Sequence, residues 1–123
     1  MITGDHRAIA VETCRTLGMG TNVLGAEKLP LLTAQELEAS TTLGRDYGEM
    51  CRQADGFAQV FPEHKYLIIE ALRQQGYLVG MTGDGVNDAP ALKRSDVGIA
   101  VQGATSAAQA AADIVLTLSL IHI

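Results

Sequence analysis

The chain contains no tryptophan, and aromatic residues fill only 4% of its 123 positions. An interior with so few large rings must be built mostly from Ala, Gly, Leu and Val, as α/β cores often are. Cationic residues are also sparse. Nine Lys and Arg face 14 Asp and Glu, giving a formal net charge of −5. This argues against a nucleic-acid partner, which calls for a basic face. No block of like charges suggests a tail. There are two cysteines, Cys14 and Cys51, without metal-ligand spacing. Cys14 falls on the apolar face of a predicted helix and reads as a small core residue, and two buried thiols fit a reducing compartment. Long apolar runs are missing. The longest late run, 114–123, is ten residues long and is interrupted by Thr117, Ser119 and His122. A membrane span needs about 20. No secretory signal pattern is visible, and no internal repeat or low-complexity tract appears, although the Ala run at 107–112 comes close. No Gly-x-Gly-x-x-Gly follows a strand, which disfavours a dinucleotide site. What is present is a hydrophobic content of 47%, which suffices for the core of one domain.

Strand and helix patterns alternate along the chain. Met1 to Thr3 reads as the end of a strand. A helix follows from Asp5 or His6 to about Leu17, with Ala10, Cys14 and Leu17 on one face, and Gly18 and Gly20 stop it. A short strand lies within 23–29. Thr33-Ala34-Gln35-Glu36 is a capping box that opens a short helix to about Ala39. Residues 40–44 read as a loop and 46–53 as a second short helix. Gly56 to Val60 is a strand, and Pro62 suits the first turn of a helix that ends at Gly76. Tyr77 to Met81 is the next strand, followed by a helix to about Arg94, a strand over 97–101, a helix over 104–112 and a last strand over 114–116. Strands alternating with helices imply a parallel sheet.

The most informative stretch is Met81-Thr82-Gly83-Asp84-Gly85-Val86-Asn87-Asp88-Ala89-Pro90-Ala91-Leu92. A strand runs into a Gly-Asp-Gly turn that presents Asp84, Asn87 and Asp88. A helix then starts with Asp88 as cap and Pro90 in its first turn. Carboxylates are thereby set at the carboxyl end of a strand, where open α/β sheets place their ligands. Carboxylate oxygens suit a hard cation such as Mg2+, and a helix N-terminus faces an anion. Taken alone, the turn is also what any surface βα connection looks like, because Gly, Asn and Asp are common turn residues.

The whole twelve-residue string resembles the hinge-and-magnesium motif of P-type ATPases, the cation pumps that form an aspartyl-phosphate. Two further segments are similar to the same pumps in order and spacing: Met1-Ile2-Thr3-Gly4-Asp5, like their Thr-Gly-Asp motif, and Val60-Phe61-Pro62-Glu63-His64-Lys65, like their lysine segment. Asp55-Gly56-Phe57-Ala58 and Leu17-Gly18-Met19-Gly20-Thr21-Asn22 resemble the plasma-membrane proton-pump branch. The likeness covers roughly residues 1–117, with 23–52 nondescript.

The resemblance implies an α/β fold, a Rossmann-like parallel sheet of the haloacid dehalogenase type. It also implies Mg2+ as cofactor, ATP as substrate of a parent protein, and a transported cation, H+ by branch likeness. In that reading Asp84 is the magnesium ligand. Asn87 donates its amide to a phosphoryl oxygen. Asp88 orients water, metal or a lysine and is the weaker candidate for the metal. Lys65 sets its charge against the phosphoryl group, and the Thr3 hydroxyl and Gly4 N–H join it. Asp5 lies towards the nucleotide and hinge. His64 reads as a surface residue. Thr3, Lys65, Asp84 and Asn87 are expected to converge at one sheet edge.

The family's nucleophile, in an Asp-Lys-Thr-Gly-Thr string, is missing. The sheet is therefore expected to lack the nucleophile strand, and the chain to be the C-terminal part of a phosphorylation domain over 1–117. Membrane attachment would come through segments outside it, making this the cytosolic part of a plasma-membrane protein. Ser106 stands where many relatives have Asp, a surface change. Residues 118–123 depart from the family pattern and are expected to be a foreign or truncated tail. Two other readings compete. One is a soluble phosphatase of the haloacid dehalogenase class, which would call for an Asp-x-Asp near the N-terminus. The other is a non-catalytic phosphate- or magnesium-binding chain. Without the nucleophile, the chain alone is expected to be inactive.

Overall fold

The computed structural model describes residues 1–83, 85–101 and 103–116. They divide into two compact units, Met1–Gly76 and the part from Tyr77 onward.

In the first unit the strands are β1 (Val23–Gly25) and β2 (Gly56–Ala58), paired in parallel with Val23 opposite Gly56. The start of the chain joins the free side of β2 through a parallel bridge between Ile2 and Phe57. Alternate residues of a strand point to opposite faces, and β2 shows this directly. Ala58 packs with Ala10, Cys14 and Val23, so α1 (Arg7–Thr16) covers one face. Phe57 packs with Leu67, Ile68 and Ala71, so α4 (Pro62–Gln74) covers the other. Cys14 is fully buried, as its helical position predicts. The capping box at Thr33 forms in full and opens α2 (Ala34–Ala39). Gly76 ends α4 at φ 92°, a left-handed conformation that only glycine adopts without cost.

The expected loop at 40–44 and helix at 46–53 are redrawn. A wide π-type turn occupies Gly44–Gly48 and runs directly into α3 (Glu49–Gln53). Two glutamines at the end of α4 hold this turn. The Gly44 N–H donates to Gln74 Oε1 at 2.8 Å, and Gln74 and Gln75 donate back to the carbonyls of Ser40 and Gly44. At Gly44 a Cβ would come within 2.7 Å of Gln74 Cβ and 3.0 Å of Ala71 O, so glycine lets the turn pack closely on α4.

The second unit is a three-stranded parallel sheet in the order β3 (Gly80–Gly83), β4 (Val97–Ala100), β5 (Ile114–Val115). Helices α5 (Ala89–Arg94) and α6 (Ser106–Ala111) form the two connections. Leu92, Ala100, Ala104 and Ala108 make a core that Met81 also joins. Val97 and Ile114, which belong to the opposite sheet face, remain 42% and 45% exposed. β3 begins three residues later than the apolar run 77–81 predicts. Tyr77 and Leu78 are exposed, and pairing starts where Gly80 meets Val97. Every strand pair is parallel, as expected, but the ladders form two sheets rather than one continuous sheet.

One device recurs in both units. Just before each ladder's first pair, an aspartate exchanges two hydrogen bonds with the backbone of the neighbouring strand. Asp55 accepts from Asn22 N–H at 2.9 Å and donates its own N–H to Asn22 O at 2.9 Å. Asp96 does the same with Val79, and Asp113 with Gly98.

Candidate functional site

In the first unit, the Thr-Gly-Asp segment is laced to the residues that leave β2. The Thr3 N–H donates to Phe57 O at 3.0 Å, Val60 N–H donates to Thr3 O at 3.2 Å, and Gln59 N–H donates to Asp5 O at 3.0 Å. Gln59 takes φ 57°, the only positive φ outside glycine among the described residues. This turns the chain sharply from β2 into α4. The Thr3 hydroxyl accepts the Asp5 N–H at 3.1 Å, a local turn that keeps its proton available for donation. Gly4 and Asp5 are exposed.

Lys65 sits in the first turn of α4, half-buried, with its N–H directed at Phe61 O. Thr3, Gly4, Asp5 and Lys65 are thus gathered around the carboxyl end of β2, where a parallel sheet presents ligands.

His64 corrects the expectation of a surface residue. It is only 3% exposed. Its Nδ1 accepts the Phe61 N–H at 3.0 Å, while its own N–H donates to Phe61 O at 2.9 Å. The ring therefore plays the part that Glu or Gln plays in a capping box. Its Nε2 is buried without a hydrogen-bond partner among the described residues. Burial pulls the imidazole below its ordinary value, and Glu63 opposes this more weakly. The spacing Phe61-x-x-His64 ahead of an apolar run was the signal available in the sequence.

In the second unit, β3 leads through the turn Val86–Asp88 into α5, with Pro90 in its first turn as predicted. Asn87 is exposed and Asp88 only 7% so. Asp88 holds the cap position, but its carboxylate does not cap α5. It turns back instead, and Oδ2 accepts the Gly85 N–H at 3.2 Å, while Asp88 N–H donates to Gly85 O at 3.1 Å. Gly83 makes room for this. A Cβ there would meet Asp88 Cβ at 2.8 Å. Asp88 is thereby a buried acceptor whose carboxylate is oriented by the Gly85 N–H. Asp84, predicted as the main metal ligand, lies outside the described residues, as do Gln102 and the tail from Thr117.

Strand-end turns of this kind occur in many α/β proteins, and comparison with known proteins decides between them. A profile of the haloacid dehalogenase-like hydrolases matches residues 1–96. The chain belongs to this family. Curated proteins similar to it include proton and plasma-membrane ATPases. The chain is 63% identical over 118 residues to "Probable proton ATPase 1A" of Leishmania donovani, covering 95% of this chain. It is 56% identical over 115 residues to Plasma membrane ATPase 1 of Saccharomyces cerevisiae, covering 94%. It spans 12% of the length of each. A solved structure, that of the catalytic domain of the CPx-ATPase CopB-B, superposes with a TM-score of 0.62 at 27% identity, over 93% of this chain and 32% of that one. The likeness to P-type pumps read from the motifs is therefore borne out, and so is the haloacid dehalogenase fold. No helix among the described residues is long and apolar enough to cross a membrane.

Proposed function

We propose that this chain is the magnesium- and phosphate-binding part of the phosphorylation domain of an ATP-driven plasma-membrane proton pump, on the cytosolic side. The observation that carries this reading is the placement of the pump-like segments. Thr3-Gly4-Asp5 and the Lys65 turn lie at the carboxyl end of β2, and the turn with Asn87 and Asp88 at the carboxyl end of β3. These segments sit in a chain 63% identical to a proton ATPase.

In the pump's cycle a carboxylate outside this chain attacks the terminal phosphorus of ATP, ADP leaves, and water later releases phosphate. The phosphoryl oxygens need their charge balanced and their geometry fixed throughout. Mg2+, when bound, neutralises that charge. Asp84 would hold it by its likeness to the pump motif, and Asp88 would back it with a carboxylate that the Gly85 N–H already orients. Lys65 would supply a positive charge to the phosphoryl oxygens from a helix start whose backbone is tied to Phe61. The Thr3 hydroxyl and Gly4 N–H would donate to phosphoryl oxygens, and the Asn87 amide has the same role by its likeness to the pump motif. Asp5 acts towards the nucleotide and hinge. The transported ion is H+.

The test is Asp84→Asn in the full-length protein, with ATP-dependent formation of the acid-stable phosphoenzyme as the readout. Phosphorylation should be lost. A normal level would remove Asp84 from the metal site. The 123-residue chain alone should incorporate no terminal phosphate, for want of a nucleophile.

A further inference from the structure

We propose that His64 is a positioning residue for Lys65, acting through the first turn of α4. This rests on the role given to Lys65 above. A helix start leaves its first backbone N–H groups without partners, and Phe61, at the cap position, has no side-chain acceptor. His64 supplies one three residues on. The Phe61 N–H donates to Nδ1 at 3.0 Å, and the His64 N–H closes the ring to Phe61 O at 2.9 Å. Lys65 is the next residue, and its own N–H points to the same Phe61 carbonyl. The lysine's backbone is therefore fixed by the pair that His64 closes.

The geometry also sets the chemical form of the ring. Because Nδ1 accepts a hydrogen bond from the Phe61 N–H, the imidazole is neutral and carries its hydrogen on Nε2. Nε2 has no partner among the described residues, and the ring lies 5.8 Å from that of Phe61 at 39°. An apolar side chain of similar size would remove the unpaired Nε2 but would leave the Phe61 N–H without its acceptor. Packing thus does not account for a histidine here, whereas an acceptor at Nδ1 does.

The decisive variants separate the acceptor from the packing. In the full-length protein, His64→Gln keeps an acceptor that a capping box uses, while His64→Leu keeps the bulk and loses it. The rate of phosphoenzyme formation should fall roughly tenfold or more in His64→Leu, since small misplacements of a charged group cost rates of that order. The same variant should keep its melting temperature within a few degrees, and His64→Gln should stay within about threefold of wild type. Equal losses in the two variants, no loss in either, or a loss in His64→Leu that tracks a fall in melting temperature would overturn the proposal. Lys65→Ala is run alongside. If it phosphorylates normally, the lysine's role fails instead. Nitrogen-15 NMR of the imidazole reads the geometry without activity: the Nε2–H tautomer is expected, and an Nδ1–H tautomer would rule out the bond to Phe61.

Discussion

Asp96 and Val79 close a ring of two hydrogen bonds, one from Val79 N–H to the carboxylate at 2.7 Å and one from Asp96 N–H to Val79 O at 2.8 Å. The ring occupies the position just before Gly80 meets Val97, so it fixes where the β3–β4 ladder begins.

Asp96→Ala should leave the Val79 N–H without its acceptor, at a cost of about 1–3 kcal/mol. Asp96→Asn keeps an acceptor and should cost less than half of that. Chemical denaturation of the two variants against wild type measures the difference. Equal losses would show that charge matters here rather than the bond.

Gly44→Ala probes the π-type turn. A Cβ there would come within 2.7 Å of Gln74 Cβ and 3.0 Å of Ala71 O, both on α4. Helix backbone cannot give way cheaply, and overpacking of this sort costs about 1–3 kcal/mol. Gly80→Ala meets only Val97 O at 3.7 Å and should change the unfolding midpoint little. A tolerated Gly44→Ala would mean that the turn does not pack on α4 as described.

Much of this architecture is legible in the sequence, and what is not has either a distant partner or an unusual local one. Thr33-x-x-Glu36, Pro62 and Gly76 act within one turn of their own helices, so spacing alone located α2 and both ends of α4. The Thr-Gly-Asp, lysine and Gly-Asp-Gly segments were likewise legible as strand-to-helix junctions. The turn at Gly44–Gly48 was not, because its reason lies thirty residues away in Gln74. The aspartate rings were hidden for the same reason, each joining residues from separate strands. Asp88 was read as a cap from its position, yet the space beside Gly83 turned its carboxylate backward. His64 beside a lysine reads as a solvated residue, but Phe61 offers no side-chain acceptor at the cap position, and the imidazole turns inward to bond the Phe61 N–H.

His64 should make stability depend on pH in a definite direction. Burial holds its pKa below the ordinary 6.5, so the unfolded chain takes up the proton first as pH falls. Its contribution is complete above that ordinary value and is lost on acidification through the folded pKa. Urea midpoints measured between about pH 7.5 and 5.5 should drop less in His64→Gln than in wild type. Parallel curves would place the imidazole in contact with water.

The cysteines should be inert in the folded chain. Burial pushes the Cys51 thiol up to about 11, and Cys14 has no exposed surface. The thiolate is the reactive form, so alkylation near pH 8 should run at least roughly a hundredfold slower in native than in denaturing conditions. Rapid native labelling of Cys51 would contradict its burial against α4.

The aspartate rings also divide labour along each strand. Asp55, Asp96 and Asp113 pin the amino ends, whereas the Thr3 and Lys65 segments and the Asn87–Asp88 turn lie beyond carboxyl ends. Each strand is mounted like a beam built into a wall at one end and loaded at the other. Register is decided at the wall, so the loaded tip is free to be reshaped, by a bound phosphate or by substitution over generations, without the ladder slipping behind it.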